Sequence, residues 1–151
     1  MAEPISFTSQ TPRFALPVLF AAQAQKEFTI NESFARIDMA LHPAIEGEAD
    51  APPDSPIDGE TWLVGDAGTG DWSGHAGALA SWQGSNWLFI APREGMRIFD
   101  KSAGAEARFD GAWQRAEPVA LPTGGTTEDF EARAAIGALV DALVAAGVLS
   151  S

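Results

Sequence analysis

The chain has 151 residues, 46% of them hydrophobic, which suffices for one folded domain with a buried core. It carries 9 Lys and Arg against 21 Asp and Glu, a net charge of −12, so electrostatic binding to nucleic acid or to anionic membranes is disfavoured. The sequence has no Cys and only two His, which excludes disulfides and thiolate chemistry and argues against a His-rich metal centre.

The N-terminal part of the chain predicts an extended arm followed by helices. Residues 1–17 contain three prolines, each of which restricts its neighbours. The composition turns helical at residue 18, and Thr29 with Glu32 form a capping box for a second helix that Pro43 ends. Apolar residues of this second helix recur along one face, at Ile30, Phe34, Ile37 and Leu41.

The segment 43–60 has four prolines and six acidic residues without a basic one, and this composition predicts a loop. The acidic bias extends further, because the stretch 37–92 holds nine acidic residues and neither Lys nor Arg. The net charge is therefore concentrated in one block of the sequence.

From residue 61 to residue 115, short apolar runs alternate with Gly-rich turns, which predicts an antiparallel meander of five or six short strands. Two of the turns have hairpin sequences, at residues 83–86 and at Asp110-Gly111. Trp62, Trp72 and Trp82 recur every ten residues, the length of a strand plus a turn, so we expect them to be neighbours on adjacent strands.

The C-terminal part predicts a linker at 116–126 and an amphipathic oligomerisation helix at 127–149. Thr126 and Asp129 resemble a capping box, and Gly147 is a candidate C-terminal stop. Its many alanines keep the helix thin enough to approach a partner helix closely. With the helix-plus-meander unit at 18–115, the expected class is α+β, with N-terminal helices before the meander and this helix after it.

Catalytic and cofactor chemistry find little support in the sequence, so no enzyme activity, cofactor or metal is predicted. Most carboxylates lie in Pro- or Gly-rich loops that predict solvated surface instead of a catalytic acid pair. The Gly-rich run at 65–77 lacks the Gly-Lys-Ser/Thr ending of a phosphate loop and is better explained by turns. A calcium site remains an alternative, although the spacing of the acidic residues fits no EF-hand loop. Its candidate ligands are Asp54, Asp58, Glu60, Asp66 and Asp71.

The tryptophans allow two interpretations. Aromatic faces stack on sugar rings, and Trp72, His75 and Trp82 are the candidate carbohydrate-binding residues. Five tryptophans in a small sheet are also expected in a core or a subunit interface, which is the favoured interpretation.

A docking surface is predicted at both ends of the chain. Near the N-terminus an apolar segment precedes a helix rich in polar side chains, and near the C-terminus the helix carries an apolar stripe. The alternative for the N-terminal helix is an ordinary solvated face. The candidate partner-binding residues are Phe14, Leu16, Gln23, Gln25, Lys26, Ile136, Leu139 and Leu143.

Several motifs resemble an alphaproteobacterial family with a domain of unknown function, over residues 11–115. They include Pro12-Arg13-Phe14, Ala22-Gln23-Ala24-Gln25-Lys26-Glu27, Gly74-His75-Ala76-Gly77 and Ala91-Pro92-Arg93-Glu94-Gly95-Met96. The chain departs from the family pattern at Ile30, where that pattern has a His. Members of this family occur among phage tail or head fibre proteins and in head-spike genes of gene transfer agents.

The resemblance implies a virion structural protein at the surface of a phage-like particle, synthesised in the bacterial cytoplasm. We expect a trimer or pentamer that docks to a capsid or tail protein and supports a distal fibre protein, as the base of a head spike or fibre. The alternative is a carbohydrate-binding module that contacts host surface polysaccharide. Neither nucleic acid nor membrane is expected as a partner.

Overall fold

The computed structural model describes residues 16–17, 26–121, 123–125 and 129–149, without the side chain of Glu27. This part of the chain forms two helices, eight strands and one short 3₁₀ turn, Gly70–Trp72. The helices are α1 (Lys26–Leu41) and α2 (Phe130–Ala145). The strands are β1 (Ala44–Ile45), β2 (Glu48–Ala49), β3 (Thr61–Val64), β4 (Leu79–Gln83), β5 (Asn86–Ile90), β6 (Arg97–Asp100), β7 (Ala105–Phe109) and β8 (Trp113–Arg115).

The strands form two four-stranded sheets, which we call the first sheet (order β1-β6-β7-β8) and the second sheet (order β2-β3-β4-β5). Within each sheet the last three strands pair antiparallel, as the meander pattern predicts. The α+β class with a C-terminal helix is thus confirmed, but the predicted meander is divided between two sheets. None of the described helices is long and apolar enough to cross a membrane.

The prediction that 43–60 is only a loop is wrong at its N-terminal end. Residues 44–45 pair parallel with β6 in the first sheet, and residues 48–49 pair parallel with β3 in the second. Two residues are too few to show a strand period, and their partners lie far along the chain, so the local sequence carries no signal for them.

Both predicted hairpins are confirmed. Gln83 and Asn86 pair across the β4–β5 hairpin, and the two loop residues between them, Gly84 and Ser85, have φ of 57° and 66°. Positive φ at both positions is the geometry of a type I′ turn, whose twist matches that of the flanking strands. The β7–β8 loop contains Gly111 with a φ of 72°.

The main core lies between the two sheets and α1. Met39 of α1 contributes to it, together with residues of both sheets such as Ile45, Leu79 and Ile98. A second, smaller core covers the opposite face of the second sheet. There Trp72, at the centre of the Gly-rich segment, packs on Val64 and Ala80.

The Gly-rich segment depends on a close approach at Gly68. A Cβ atom at this position would lie 2.8 Å from the Trp72 carbonyl oxygen and 2.9 Å from Val64 Cγ1. Only glycine therefore allows the segment to close over the second sheet and to carry Trp72 into the smaller core.

The two helices differ from their predicted boundaries. Thr29 lies inside α1 instead of capping it, and its carbonyl accepts a hydrogen bond from Ser33 Oγ at 2.9 Å. The predicted capping box had Thr126 as the N-cap of α2 and Asp129 at the third helical position. Instead Asp129 itself is the N-cap, accepting from the Ala132 backbone N–H at 2.8 Å, and Thr126 lies outside the described residues. Gly147, with a φ of 70°, follows the end of α2 and confirms the predicted stop.

Candidate functional site

The predicted N-terminal docking residues are only partly described. Phe14, Gln23 and Gln25 lie outside the described residues, whereas Lys26 is exposed at the first residue of α1. Leu16 is half-buried and lines a small apolar depression of about 160 Å³ on α1. The next residue, Pro17, accepts a hydrogen bond from Ser33 Oγ at 2.9 Å, so the described end of the arm lies along α1.

The face of α1 that carries its apolar period points away from the core. Phe34 is 63% exposed and Leu41 is 71% exposed, and Ile30 on the same face is also exposed. The helix contacts the main core on its opposite side, through Met39. Because both sides of α1 are apolar, the outward side is a candidate contact surface.

The C-terminal helix α2 has no buried residue. Of its predicted contact residues, Leu139 is 61% exposed, Ile136 is exposed and Leu143 is half-buried. Within the described residues, nothing buries the apolar side chains of α2 fully, so the helix is a candidate contact surface.

The described attachment of α2 to the sheets is at its C-terminal end. The Glu106 backbone N–H donates to the Gly147 carbonyl at 2.7 Å, next to the exposed ring of Phe99. Leu149 is buried just beyond this point. The end of α2 is thus tied to β7, while the apolar body of the helix stays accessible.

The three residues predicted to bind carbohydrate are not presented on one surface. Trp72 has 0% exposure and therefore cannot stack on a ligand. Its ring lies 5.1 Å from the Trp87 ring and 6.5 Å from the Trp62 ring, centroid to centroid. The expectation that Trp62, Trp72 and Trp82 are neighbours on adjacent strands is correct only in part. Trp62 and Trp82 lie on the adjacent strands β3 and β4, whereas Trp72 lies in the 3₁₀ turn of the Gly-rich segment, which folds back over the sheet.

His75 and Trp82 remain partly exposed and lie on either side of two aromatic residues of β5. The His75 imidazole stacks on the Phe89 ring, with centroids 3.6 Å apart and planes 5° from parallel. Trp82 meets Trp87 edge to face at 5.1 Å. Trp87 and Phe89 were missed at the sequence level, although their alternation along one strand is a signal that they share a face.

Two adjacent depressions open on these aromatic side chains, and both are lined by Trp87 and Phe89. The larger has a volume of about 440 Å³ and the smaller about 330 Å³, within the range of small-ligand sites. We call the pair the aromatic groove. Its other polar or aromatic lining residues are Arg36, His75 and Arg93 in the larger depression, and Asp71, Trp82, Ser85 and Asn86 in the smaller.

Arg36 fixes α1 against this groove. Its Nη1 donates to the Phe89 carbonyl at 2.9 Å, and its Nε and Nη2 both lie 3.0 Å from Glu32 Oε1. The guanidinium is held on two sides, so one wall of the groove is rigid. It also occupies a carbonyl on the outer edge of β5, which an added strand would otherwise use.

A buried carboxylate, Asp100, ties the first sheet together and links it to the second. It accepts hydrogen bonds from Ser102 Oγ at 2.6 Å and from Arg115 Nη2 at 3.1 Å, and Arg115 Nη1 also lies 3.0 Å from Glu48 of β2. Burial by itself raises the pKa of Asp100, but the bonds from Ser102, Arg115 and the Ala103 N–H outweigh it and lower the pKa below its ordinary value.

This ionic cluster also borders a third depression, of about 370 Å³, between Glu48, Asp66 and Arg115. Two of these charged side chains, Glu48 and Arg115, already pair with each other, and Arg115 also pairs with Asp100, so we assign the depression a structural role. Within the described ranges no three His, Asp or Glu side chains are placed to hold a metal ion. The five acidic residues considered for calcium are therefore not brought together as a site.

Comparison with known proteins identifies a family without a known activity. A family model described as a protein of unknown function (DUF2793) matches residues 30–114, which is more than half of the chain. The match covers most of α1 and nearly all of both sheets, and it ends before α2. No curated protein matches the chain.

Proposed function

We propose a function on the premise that the chain belongs to the DUF2793 family, whose model spans α1 and the two sheets. The protein is a structural component of a phage-like particle or gene transfer agent, the base of a head spike or fibre, and it self-associates through α2. The resemblance in sequence motifs supports the particle, and the exposure of α2 supports the self-association.

The observation that carries this proposal is the combination of apolar composition and exposure in α2. Fully burying a Leu or Ile side chain contributes about 1.5–3 kcal/mol, and Ile136 and Leu139, which are 42% and 61% exposed, gain only part of this within the described chain. A rotation axis that brings several copies of α2 together buries these side chains in one step. Small residues such as Ala135 and Ala138 allow the helices to approach closely.

The attachment surface of the proposed spike base is the N-terminal arm together with the outward face of α1. Phe34 and Leu41 are available there for a capsid or tail protein, and Leu16 continues the same apolar region. In this arrangement the two ends of the chain have separate tasks, self-association at α2 and attachment at α1.

The self-association is tested by measuring the mass of the full chain in solution by light scattering over a wide concentration range. We expect a trimer or pentamer. The variant Leu139→Glu should weaken association at least tenfold, because it places a charge in the seam. Leu121→Glu is the matched control, since Leu121 is also exposed but lies before α2, and it should leave the mass unchanged.

A folded monomer at every concentration would contradict the proposal. The particle assignment has its own test, which is to locate the density of this chain by cryo-EM of the parent particle, with and without the gene. Loss of a spike or fibre base on deletion is the expected result, and an unchanged particle would refute it.

A second function, carbohydrate binding, is favoured by the aromatic groove. Trp82, Trp87 and the His75–Phe89 stack offer partly exposed ring faces, and polar side chains flank them. This combination of apolar faces and polar groups is what recognises a sugar ring. The groove is compatible with the structural role, because a spike base can also contact a host glycan.

A further inference from the structure

The smaller depression of the aromatic groove combines aromatic rings with a carboxylate, and its lining residues, all within the described ranges, include no basic side chain. The rings belong to Trp82, Trp87 and Phe89, which are partly exposed, and the carboxylate belongs to Asp71. All of its lining residues lie in the stretch 37–92, which carries nine acidic residues and neither Lys nor Arg. The charge around this depression therefore favours a cation as its ligand.

The two indole rings of this depression meet at an angle and are held in place. Trp82 and Trp87 are directly opposite each other on β4 and β5, and their ring planes are inclined by 60° with centroids 5.1 Å apart. Trp87 also packs edge to face on the buried ring of Trp72, at 5.1 Å and 82°. A sugar ring stacks on one flat aromatic face, whereas a compact group can contact both walls of such a corner at once.

The carboxylate of Asp71 is available to a ligand. Asp71 is exposed in the 3₁₀ turn Gly70–Trp72, and its side chain is neither hydrogen-bonded nor ion-paired to any residue that the structure describes. Aromatic faces beside a free carboxylate suit a quaternary ammonium ion, because the ring quadrupole attracts positive charge and such an ion has no hydrogen to donate. The hairpin residues Ser85 and Asn86 add a hydroxyl and an amide to the same depression.

We propose that the smaller depression binds the trimethylammonium group of a small choline-type ligand. The methyl groups contact the rings of Trp82 and Trp87, the Asp71 carboxylate balances the positive charge, and the ligand hydroxyl bonds to Ser85 or Asn86. The volume of about 330 Å³ is sufficient for a ligand of this size. This inference goes beyond both proposed functions, since it requires neither self-association nor a sugar.

The test compares choline with dimethylbutanol, its isostere with a carbon atom in place of the ammonium nitrogen, by isothermal titration calorimetry on the full chain. Choline should bind at least tenfold more tightly, because only it carries the charge. Asp71→Asn should weaken choline binding at least threefold and leave that of dimethylbutanol unchanged. The matched control is Asp66→Asn, which removes the same charge from an exposed residue of the Gly-rich segment outside this depression and should leave choline binding unchanged.

Three results would overturn the proposal. They are equal binding of choline and dimethylbutanol, binding of neither, and an equal loss of choline binding in Asp71→Asn and Asp66→Asn, which would indicate attraction by the net charge alone. Phosphatidylcholine vesicles that sediment with the chain while free choline does not bind would place the group on a membrane and would also overturn it. Circular dichroism of Asp71→Asn identical to that of the parent chain shows that the fold is retained.

Discussion

The two sheets, which together we call the body, and the two helices differ in where they place their apolar residues. In the body, residues such as Leu63, Leu79 and Ile98 are almost completely buried between the sheets. In α1 and α2, residues of the same kind, such as Leu41 and Leu139, stay largely exposed. The two sheets therefore bury most of their apolar side chains within the described chain, whereas each helix leaves an apolar face exposed, which is the surface that the proposed contacts would use.

The largest effect expected from this comparison is at a matched pair of leucines. Leu79→Ala should lower the free energy of unfolding by about 3.5 kcal/mol, because it leaves a cavity in a core with no exposed surface. Leu41→Ala, at a residue 71% exposed, should change it by less than about 0.5 kcal/mol. Urea denaturation measures both, and similar losses at the two positions would show that the outward face of α1 is covered within its own chain.

A somewhat smaller loss of unfolding free energy is expected at the buried carboxylate of Asp100, whose ion pair and hydrogen bonds hold the first sheet together. Asp100→Ala should cost about 2.5 kcal/mol, since it leaves two backbone N–H groups and Arg115 without their acceptor, and Arg115 is partly exposed. Glu94→Ala removes an exposed carboxylate 4.0 Å from Arg108 and should change stability very little. Equal losses in the two variants would refute a specific role for the Asp100 cluster.

The same cluster predicts a pH dependence of stability. Because the pKa of Asp100 is lower in the folded chain, its contribution is fully present above the unfolded value of about 3.9 and is lost as the pH falls through the folded pKa. The stability difference between the parent chain and Asp100→Ala should therefore shrink below about pH 4. Denaturation curves at pH 7, 4 and 3 measure this, and a difference that grows in acid would contradict the assigned direction.

The smallest of these effects is expected at the Gly-rich segment of the body. Gly68→Ala should lower the free energy of unfolding by about 2 kcal/mol, because the added methyl group meets the Trp72 carbonyl and Val64. Gly137→Ala is the matched change in α2, where nothing lies within 4 Å of the new atom, and should be neutral or stabilise the helix by about 0.5 kcal/mol. Thermal unfolding and tryptophan fluorescence would report both changes, and tolerance of Gly68→Ala would contradict the close approach.

How far the sequence predicted the structure depends on the range of the interactions. The Gly147 stop and the Gly84-Ser85 turn are local, and the sequence indicated both of them, whereas the cap of α2 was placed at Thr126 and is formed by Asp129. The parallel pairs of β1 and β2 were missed, since they depend on partners far along the chain.

The candidate site was predicted in part for the same reason. Its aromatic composition was visible in the sequence, but which rings are exposed is decided by the fold of the Gly-rich segment over the sheet. Trp72 is buried, which agrees with the favoured core interpretation and not with its alternative as a carbohydrate contact, while Phe89 was not considered and lines the groove. Arg36 reaches the groove because its side chain donates a hydrogen bond to the Phe89 carbonyl of β5. The residue pattern of α1 alone could not predict this contact, since its partner lies 53 residues away.

The short connection between β1 and β2 also determines when the body can form during synthesis. Residues 44–45 can pair only after β6 has been synthesised, more than 50 residues downstream. Residues 48–49 pair with β3, which is synthesised much earlier. On the ribosome the second sheet can therefore assemble while the first still lacks its central strands. Non-local pairing of this kind slows folding, so the closing of the first sheet is the step at which we expect a newly made chain to be most exposed to aggregation.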